Sequence, residues 1–344
     1  MKAAIYRAFS GPISVEDVEQ PEADEHGVVL EVRANGVCRS DWHAWAGHDA
    51  TIQLPHVPGH EMAGIVASVG AGVERWQVGD RVTVPFSCGC GTCDTCTSGH
   101  TNLCEREYQP GFSGWGAFAE FVAVPWADVN LVGLPESIGF VAAASLGCRF
   151  MTAYQGLTDR GRLQEGEWIA VHGVGGVGLS AVQIAVGVGA KVVAVDIDAG
   201  KLALAESLGA SVLVNASEED PVRSVRAASG GGAHVSVDAL GSEVTVQNSI
   251  RCLRRRGRHV QIGLVIGEGQ NLPIPLSRVI SLELEIYGTH GMAARRYSEM
   301  FELIERGAVR PDRLVGRTIT LDEAPAALEM MGSFGGAGVT VIEL

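Results

Sequence analysis

Trp168-Ile-Ala-Val-His172-Gly173-Val-Gly175-Gly176-Val-Gly178 is the stretch on which the fold of this chain turns. Its first five residues read as a buried strand, and the glycines that follow read as a tight turn opening a helix. Gly173 permits the turn, Gly175 lets the backbone approach a pyrophosphate, and Gly178 lets helix and strand pack closely. The turn, through Gly176, opens a helix expected from Val177, whose unpaired N–H groups and positive dipole end face the phosphates. Alone, such a turn is weak, because glycine-rich turns are common. Here the next strand ends in Asp196, near the ~20-residue spacing at which an acid meets the adenosine ribose. A carboxylate there accepts hydrogen bonds from the ribose hydroxyls and repels a 2′-phosphate, and no Arg stands at 197 or 198 to welcome one. The pair of features implies NAD(H) in preference to NADP(H).

Outward from that turn the pattern repeats. Strands are expected at 168–172, 191–196, 212–215, 235–239 and 259–263, with helices at 177–188 and 201–208. Strands alternating with helices at this pitch imply βαβ units and a parallel, doubly wound sheet, an α/β fold. Before residue 145 the texture is different. Short apolar or alternating runs at 28–33, 64–69, 80–84 and 117–124 are punctuated by Gly and Pro, as in a β-rich domain with large loops. A final strand at 338–344 returns to that half, so the layout is a nucleotide-binding domain inserted into a β-rich one.

With 344 residues, the chain suits about two domains. Hydrophobic residues at 46% and charged ones at 19% exclude disorder as its general state. Its 26 basic against 40 acidic residues, a net charge of −14, argue against a nucleic-acid partner. No run approaches the ~18 apolar residues of a membrane span, and the start lacks the apolar core of a signal peptide, so a cytoplasmic location is expected.

Eight cysteines in such a chain point to metal. Cys90, Cys93, Cys96 and Cys104 converge within one short loop, and four thiolates make the closed tetrahedral site of a structural Zn²⁺. Disulfides fit poorly without secretion, and an iron–sulfur cluster usually has other spacing. A second set is scattered: Cys38, His60 and Cys148, the three-ligand set of a catalytic zinc with an open fourth position.

The order Cys38-Arg39-Ser40-Asp41-Trp42-His43, Gly59-His60-Glu61, four-cysteine lobe, Cys148, Gly-rich turn and Asp196 resembles the zinc-dependent medium-chain dehydrogenases, the alcohol dehydrogenase family, over essentially the whole chain. The resemblance implies a GroES-like β-rich catalytic domain over 1–149 with its zinc lobe at 88–104, a Rossmann NAD-binding domain over 150–290, and a return to the catalytic domain over 291–344. It implies one catalytic and one structural Zn²⁺, NAD(H), and hydride exchange between an alcohol and its aldehyde or ketone. A zinc in the open site acts as a Lewis acid on the substrate oxygen.

Site roles follow from the same resemblance. Ser40 takes the alcohol proton and His43 relays it, or His43 is a surface histidine near a turn. Asp41 accepts a hydrogen bond from the non-ligating nitrogen of His60. Glu61 lies behind the metal, where it approaches transiently, or is a buried acid paired with a nearby base. Arg39 meets the pyrophosphate, Thr152 and Val177 the nicotinamide, and Lys201 the adenosine ribose unless it is a solvated helix lysine. The family often adds an Arg near the C-terminus for the phosphates, and Gly338-Val339-Thr340-Val341 offers none. Trp42, Phe86 and Trp115 are the candidates for the substrate pocket, though each serves equally as core, and they suggest an apolar or aryl-bearing, primary or secondary alcohol. A polyol, sugar-alcohol or amino-alcohol dehydrogenase is the nearest alternative, and a non-catalytic zinc- and NAD-binding protein the more distant one. The family assembles as homotetramers or homodimers.

Other residues read as structural. The arginines of 251–259 are expected to follow a helix as cations at its C-terminus, and His172 is expected to pack rather than react. Cys88 lies close enough to compete with Cys90 for the lobe. His48 and His56 fit no family motif.

Overall fold

The computed structural model describes residues 1–265, 271–333 and 338–344. The chain divides into two compact units, Met1–Met151 with Gly291–Glu299 and Val315–Leu344, and Thr152–His290 with Met300–Leu314. In chain order the strands are β1 (Lys2–Tyr6), β2 (Ile13–Asp17), β3 (Val28–Val37), β4 (Met62–Val69), β5 (Arg81–Thr83), β6 (Phe121–Val124) and β7 (Val132–Gly133). They continue as β8 (Trp168–His172), β9 (Lys191–Asp196), β10 (Val212–Asn215), β11 (Ala233–Asp238), β12 (Leu253–Gln261) and β13 (Glu285–Gly288), and end with β14 (Val315–Ile319) and β15 (Val339–Glu343).

Among the described residues the first unit holds a seven-stranded sheet in the order β14-β15-β3-β4-β5-β7, with β6 paired to β3, and a β1-β2 hairpin. β3 is its spine. It outruns the expected 28–33 because Asn35 stays in register with Met62 on one side and Ile342 on the other, and Gly36 with Val341, after two bulges against β4. Val28, Leu30 and Val32 share one face and pack with Met62, Val66, Val82 and Val122, while Val29 is buried as well, so the strand is covered on both sides over most of its length. This long strand carries the chain straight into Cys38.

The second unit holds a six-stranded sheet, β10-β9-β8-β11-β12-β13, parallel throughout. That is the doubly wound order, with the first strand beside the fourth, which opens a crevice at the carboxyl ends of β8 and β11. β8, β9 and β10 match the expected bounds residue for residue; β8 and β9 are buried on both faces and read as unbroken apolar runs, and the edge strand β10 is a short apolar run ending at Asn215.

The arginine cluster departs from expectation. Only Arg251 ends the helix Glu243–Arg251, whereas Arg254, Arg255, Arg256 and Arg258 lie on β12. Two steps along β11, Ala233 to Val235, correspond to five along β12, Leu253 to Arg258, so the arginines occupy a bulge with Arg256 at φ 57°. The bulge turns Arg254 onto His234 and Arg258 onto Glu167, so surface contacts rather than a helix dipole hold them.

His172 packs, as expected, at the end of β8, and burial pushes its pKa down to about 3. His259 on β12 is likewise buried and held at about 4, with Ser249 3.0 Å from its Nδ1. Above pH 6.5 both states of the chain keep these rings neutral. Below it the unfolded chain binds protons that the folded unit refuses, so stability is lost progressively as pH falls toward about 4, by roughly 3 kcal/mol per histidine. Urea midpoints measured across that range should fall with acid, and less steeply for His172→Leu.

Candidate metal centres and cofactor turn

The first donor set lies wholly in the first unit. Cys38 is the N-cap residue of the helix Arg39–Trp45, directly after β3. His60 precedes β4 and follows Gly59, where a φ of 112° and a Cβ that would lie 2.6 Å from the Phe118 nitrogen disfavour any side chain. Cys148 sits in a π-helical turn, Leu146–Phe150, a wide turn of the kind that re-aims side chains at functional sites. Cys38, His60, Glu61 and Cys148 each place a donor atom within 4.8 Å of the others.

Asp41 ties this set together from a fully buried position. Its Oδ1 accepts from His60 Nδ1 at 2.8 Å and from the Gly59 N–H at 3.0 Å, and its Oδ2 accepts from the Cys38 N–H at 3.0 Å. With Nδ1 donating, His60 presents Nε2 as its lone-pair nitrogen, and that atom is buried without a hydrogen-bond partner. An orphaned imidazole nitrogen among two thiols is what a bound metal satisfies. The Cys38 thiol is held well below its ordinary range, chiefly by a hydrogen bond from Cys148, so a thiolate is accessible there. Nitrogen and sulfur donors of this kind suit Zn²⁺. Ser40 Oγ lies 3.8 Å from Cys38 Sγ.

Glu61 is fully buried and has a partner that the sequence reading missed: Arg149, directly after Cys148. The guanidinium grips both carboxylate oxygens, with Nε donating to Oε1 at 2.9 Å and Nη2 to Oε2. Burial pushes the Glu61 carboxyl up to about 7 against the pull of that cation.

The aromatic candidates separate. Phe86 stands edge-on to His60 with ring centres 6.1 Å apart, and Phe112, not foreseen, stands closer at 5.2 Å. Trp42 packs at the border of an apolar cluster, with the Arg39 guanidinium 4.9 Å from its ring centre. Trp115 is 37% exposed and donates its indole N–H to Pro55 O. Arg39 also donates to Met331 O at 2.6 Å. His43, in the last turn of its helix, meets His48 with their Nδ1 atoms 2.9 Å apart. Burial, Arg39 and His48 lower the His43 pKa to about 4, so the ring is neutral at neutral pH.

In the second donor set, Cys90, Cys93, Cys96 and Cys104 also bring their sulfurs within 4.8 Å of one another. Cys90 and Cys96 sulfurs are 4.0 Å apart and those of Cys93 and Cys104 are 3.8 Å. Disulfides need about 2.05 Å, whereas a tetrahedron of Zn–S bonds near 2.3 Å sets sulfurs about 3.8 Å apart. The spacing fits zinc. Arg106 donates through Nη2 to Cys90 Sγ and through its N–H to Cys104 Sγ, which offsets the charge of the thiolates. Cys88 does not compete: it pairs with Tyr108 across a β-bridge and buries its thiol among Val28, Val82 and Val84.

In the second unit the glycine turn has the geometry its residues require. Gly173 has φ 84°, and a Cβ on Gly178 would lie 1.9 Å from Gly173 O. Gly175 is exposed, with nothing within 4 Å of where a Cβ would sit, so the backbone is open to a ligand beside the helix Gly176–Gly187. Asp196 knits this turn: Oδ2 accepts from the Val174 N–H, and Oδ1 from those of Ile197 and Asp198. Val177 is half-buried on the helix, Thr152 is buried, and the Lys201 N–H is capped by Asp198. The residues present fit a dinucleotide.

Comparison with known proteins agrees with this chemistry. Residues 24–136 match the family described as alcohol dehydrogenase GroES-like domain, and residues 176–306 the family described as zinc-binding dehydrogenase. An alcohol dehydrogenase of Geobacillus stearothermophilus is 36% identical over 312 residues, which cover 90% of this chain and 90% of that one. The solved alcohol dehydrogenase of Thermus sp. ATN1 has a TM-score of 0.91 at 32% identity, covering 100% of this chain and 99% of its own. The crystal structure of an NAD-dependent alcohol dehydrogenase has a TM-score of 0.91 at 31% identity over 100% of both chains.

Proposed function

This chain belongs to the zinc-binding alcohol dehydrogenase family, and we propose that it exchanges hydride between NAD and an apolar or aryl-bearing, primary or secondary alcohol, reversibly giving the aldehyde or ketone. The observation that carries this reading is the orphaned His60 Nε2 converging with two cysteine sulfurs. Cys38, His60 and Cys148 hold the catalytic Zn²⁺, and Cys90, Cys93, Cys96 and Cys104 the structural one. A zinc held there would supply Lewis-acid polarisation of the substrate oxygen, and a bound NAD would supply the hydride acceptor.

The chain's own groups do the rest. Ser40 Oγ accepts the alcohol proton, and neutral His43 takes it outward. Asp41 keeps the proton of His60 on Nδ1, so Nε2 stays a donor to the metal. The N–H groups at Gly175, Gly176 and Gly178 cradle the pyrophosphate, Gly173 shapes the turn while its own N–H is donated to Val195 O, and Arg39 meets the same phosphates. Asp196 and Lys201 hold the adenosine ribose, and Thr152 and Val177 bear on the nicotinamide. Phe86 and Phe112 beside His60 support an apolar substrate over a polyol, which needs polar partners in the pocket. Residues 1–149 and 291–344 form the catalytic domain and 150–290 the NAD-binding one; the compact units follow this division closely except that Met300–Leu314 group with the second unit. Edge strand β13 and the exposed Leu276 and Ile280 support assembly as a homodimer or homotetramer. Among the described residues no helix is long and apolar enough to cross a membrane, which accords with a cytoplasmic enzyme.

A panel of alcohols read by NADH absorbance tests the reading. Secondary and aryl alcohols should outpace polyols by at least about 10-fold in kcat/KM, the discrimination expected of an apolar pocket. Preference for polyols would move the assignment to the polyol enzymes, and NADH binding without turnover of any alcohol would make the protein a non-catalytic binder. Asp41→Asn should weaken the catalytic zinc by about 10- to 100-fold. Competition with a chelator measures this, and the zinc of the four-cysteine lobe serves as internal control.

A further inference from the structure

The Cys38 set contains one donor more than an open site allows. Cys38, His60, Glu61 and Cys148 all bring a donor atom within 4.8 Å of one another, and four protein ligands would close a tetrahedral zinc and leave substrate no position. Something must decide whether Glu61 is a ligand. We propose that Arg149 is the positioning residue that holds the Glu61 carboxylate off the metal and so keeps the fourth position free for substrate. The inference rests on the zinc reading of Cys38, His60 and Cys148.

The hold is built from several directions. Arg149 engages both oxygens of Glu61 through Nε and Nη2, while Nη1 donates to Val37 O at 3.1 Å, which anchors the guanidinium to the end of β3. Glu61 Oε1 also accepts from the Cys148 N–H at 3.3 Å and the Arg149 N–H at 3.4 Å. The π-helical turn therefore sends a metal ligand and the guard of its neighbour into one small space from consecutive residues.

Two glycines clear that space. A Cβ on Gly36 would lie 2.1 Å from Glu61 Oε2 and 2.8 Å from Arg149 Nη2, and one on Gly147 would lie 2.7 Å from the Glu61 Cα. Neither glycine has a left-handed φ, so conformation does not require them; the room taken by the Glu61–Arg149 pair does. Electrostatics gives the same direction. Zn²⁺ with two thiolates is neutral overall, and Arg149 neutralises the adjoining carboxylate. Without Arg149, a buried carboxylate has no counter-charge except the metal, and turning toward it is the available compensation.

The test uses holoenzyme with Co²⁺ in the catalytic site, whose visible spectrum reports the ligand set, and imidazole as the probe of the open position. In the parent protein imidazole should shift the spectrum. In Arg149→Met the shift should vanish, metal release to a chelator should slow by about 10-fold, and kcat/KM should drop by about 100-fold. In Arg149→Met/Glu61→Gln, which removes both charges, the imidazole response should return and kcat/KM recover at least about 10-fold. Arg149→Lys keeps the charge but loses the two-oxygen grip, so it should fold where Arg149→Met does not and shift each readout in the same direction. The proposal is overturned if imidazole shifts both single variants as it does the parent, or if the double variant recovers nothing. Failure of the parent to take up metal at this site would instead overturn the zinc reading beneath it.

Discussion

Cys148→Ala is expected to lose the zinc of the Cys38 set, keep that of the four-cysteine lobe, and lower kcat/KM by roughly 10⁴-fold. The two donor sets share no residue, so their metals should be separable. Removing one sulfur leaves Cys38 and His60 alone, and with them Glu61, a hard oxygen held by Arg149. A site reduced in this way loses affinity and the Lewis acidity on which the proposed step depends. Metal analysis of the purified variant, paired with turnover, reads both effects. Full activity with both metals retained would mean that Cys148 is not a ligand. Cys96→Ser should show the opposite pattern, losing the lobe zinc and lowering the melting temperature more than turnover.

Asp196→Asn is expected to reduce kcat/KM for NAD by about 100-fold, close to the value of one hydrogen bond to a charged group. The same change should affect NADP far less, because the lost charge is also lost repulsion of the 2′-phosphate. Geometry adds a complication and a control. The carboxylate already accepts from the N–H groups of Val174, Ile197 and Asp198, and an Asn must set its NH₂ against one side of that array. If the effect were only a disturbed turn, kcat/KM would fall equally for both cofactors. Unequal losses support the ribose role, and equal losses contradict it.

The parts of the molecule legible in the sequence are those whose physics is local. The turn from Gly173 to Gly178 needs a positive φ and a close approach within six residues, and β8, β9 and β10 are apolar runs bounded by polar or small residues. The lobe cysteines are likewise neighbours along the chain. Pairing between distant segments was less legible. β3 continues through Asn35 and Gly36 because β4 and β15 hold it there, and neither residue has the propensity of a strand. Cys88, two residues before Cys90, joins the apolar cluster of Val28, Val82 and Val84 and bridges to Tyr108, whereas Cys90 joins the lobe. The bulge in β12 exists because β11 pairs across it, so its arginines resembled the end of a helix. Arg149 was hidden most completely. Nothing near residue 149 announces Glu61, 88 positions away, although two unexplained glycines at 36 and 147 were a trace of the space the pair occupies.

The account stands most directly on alcohol-dependent NADH formation by protein whose catalytic zinc is removed with a chelator and then restored. The predicted result is that NADH formation stops when the Cys38–His60–Cys148 zinc leaves while the four-cysteine zinc stays, and resumes when zinc is returned. Sustained turnover by protein lacking that zinc would contradict it.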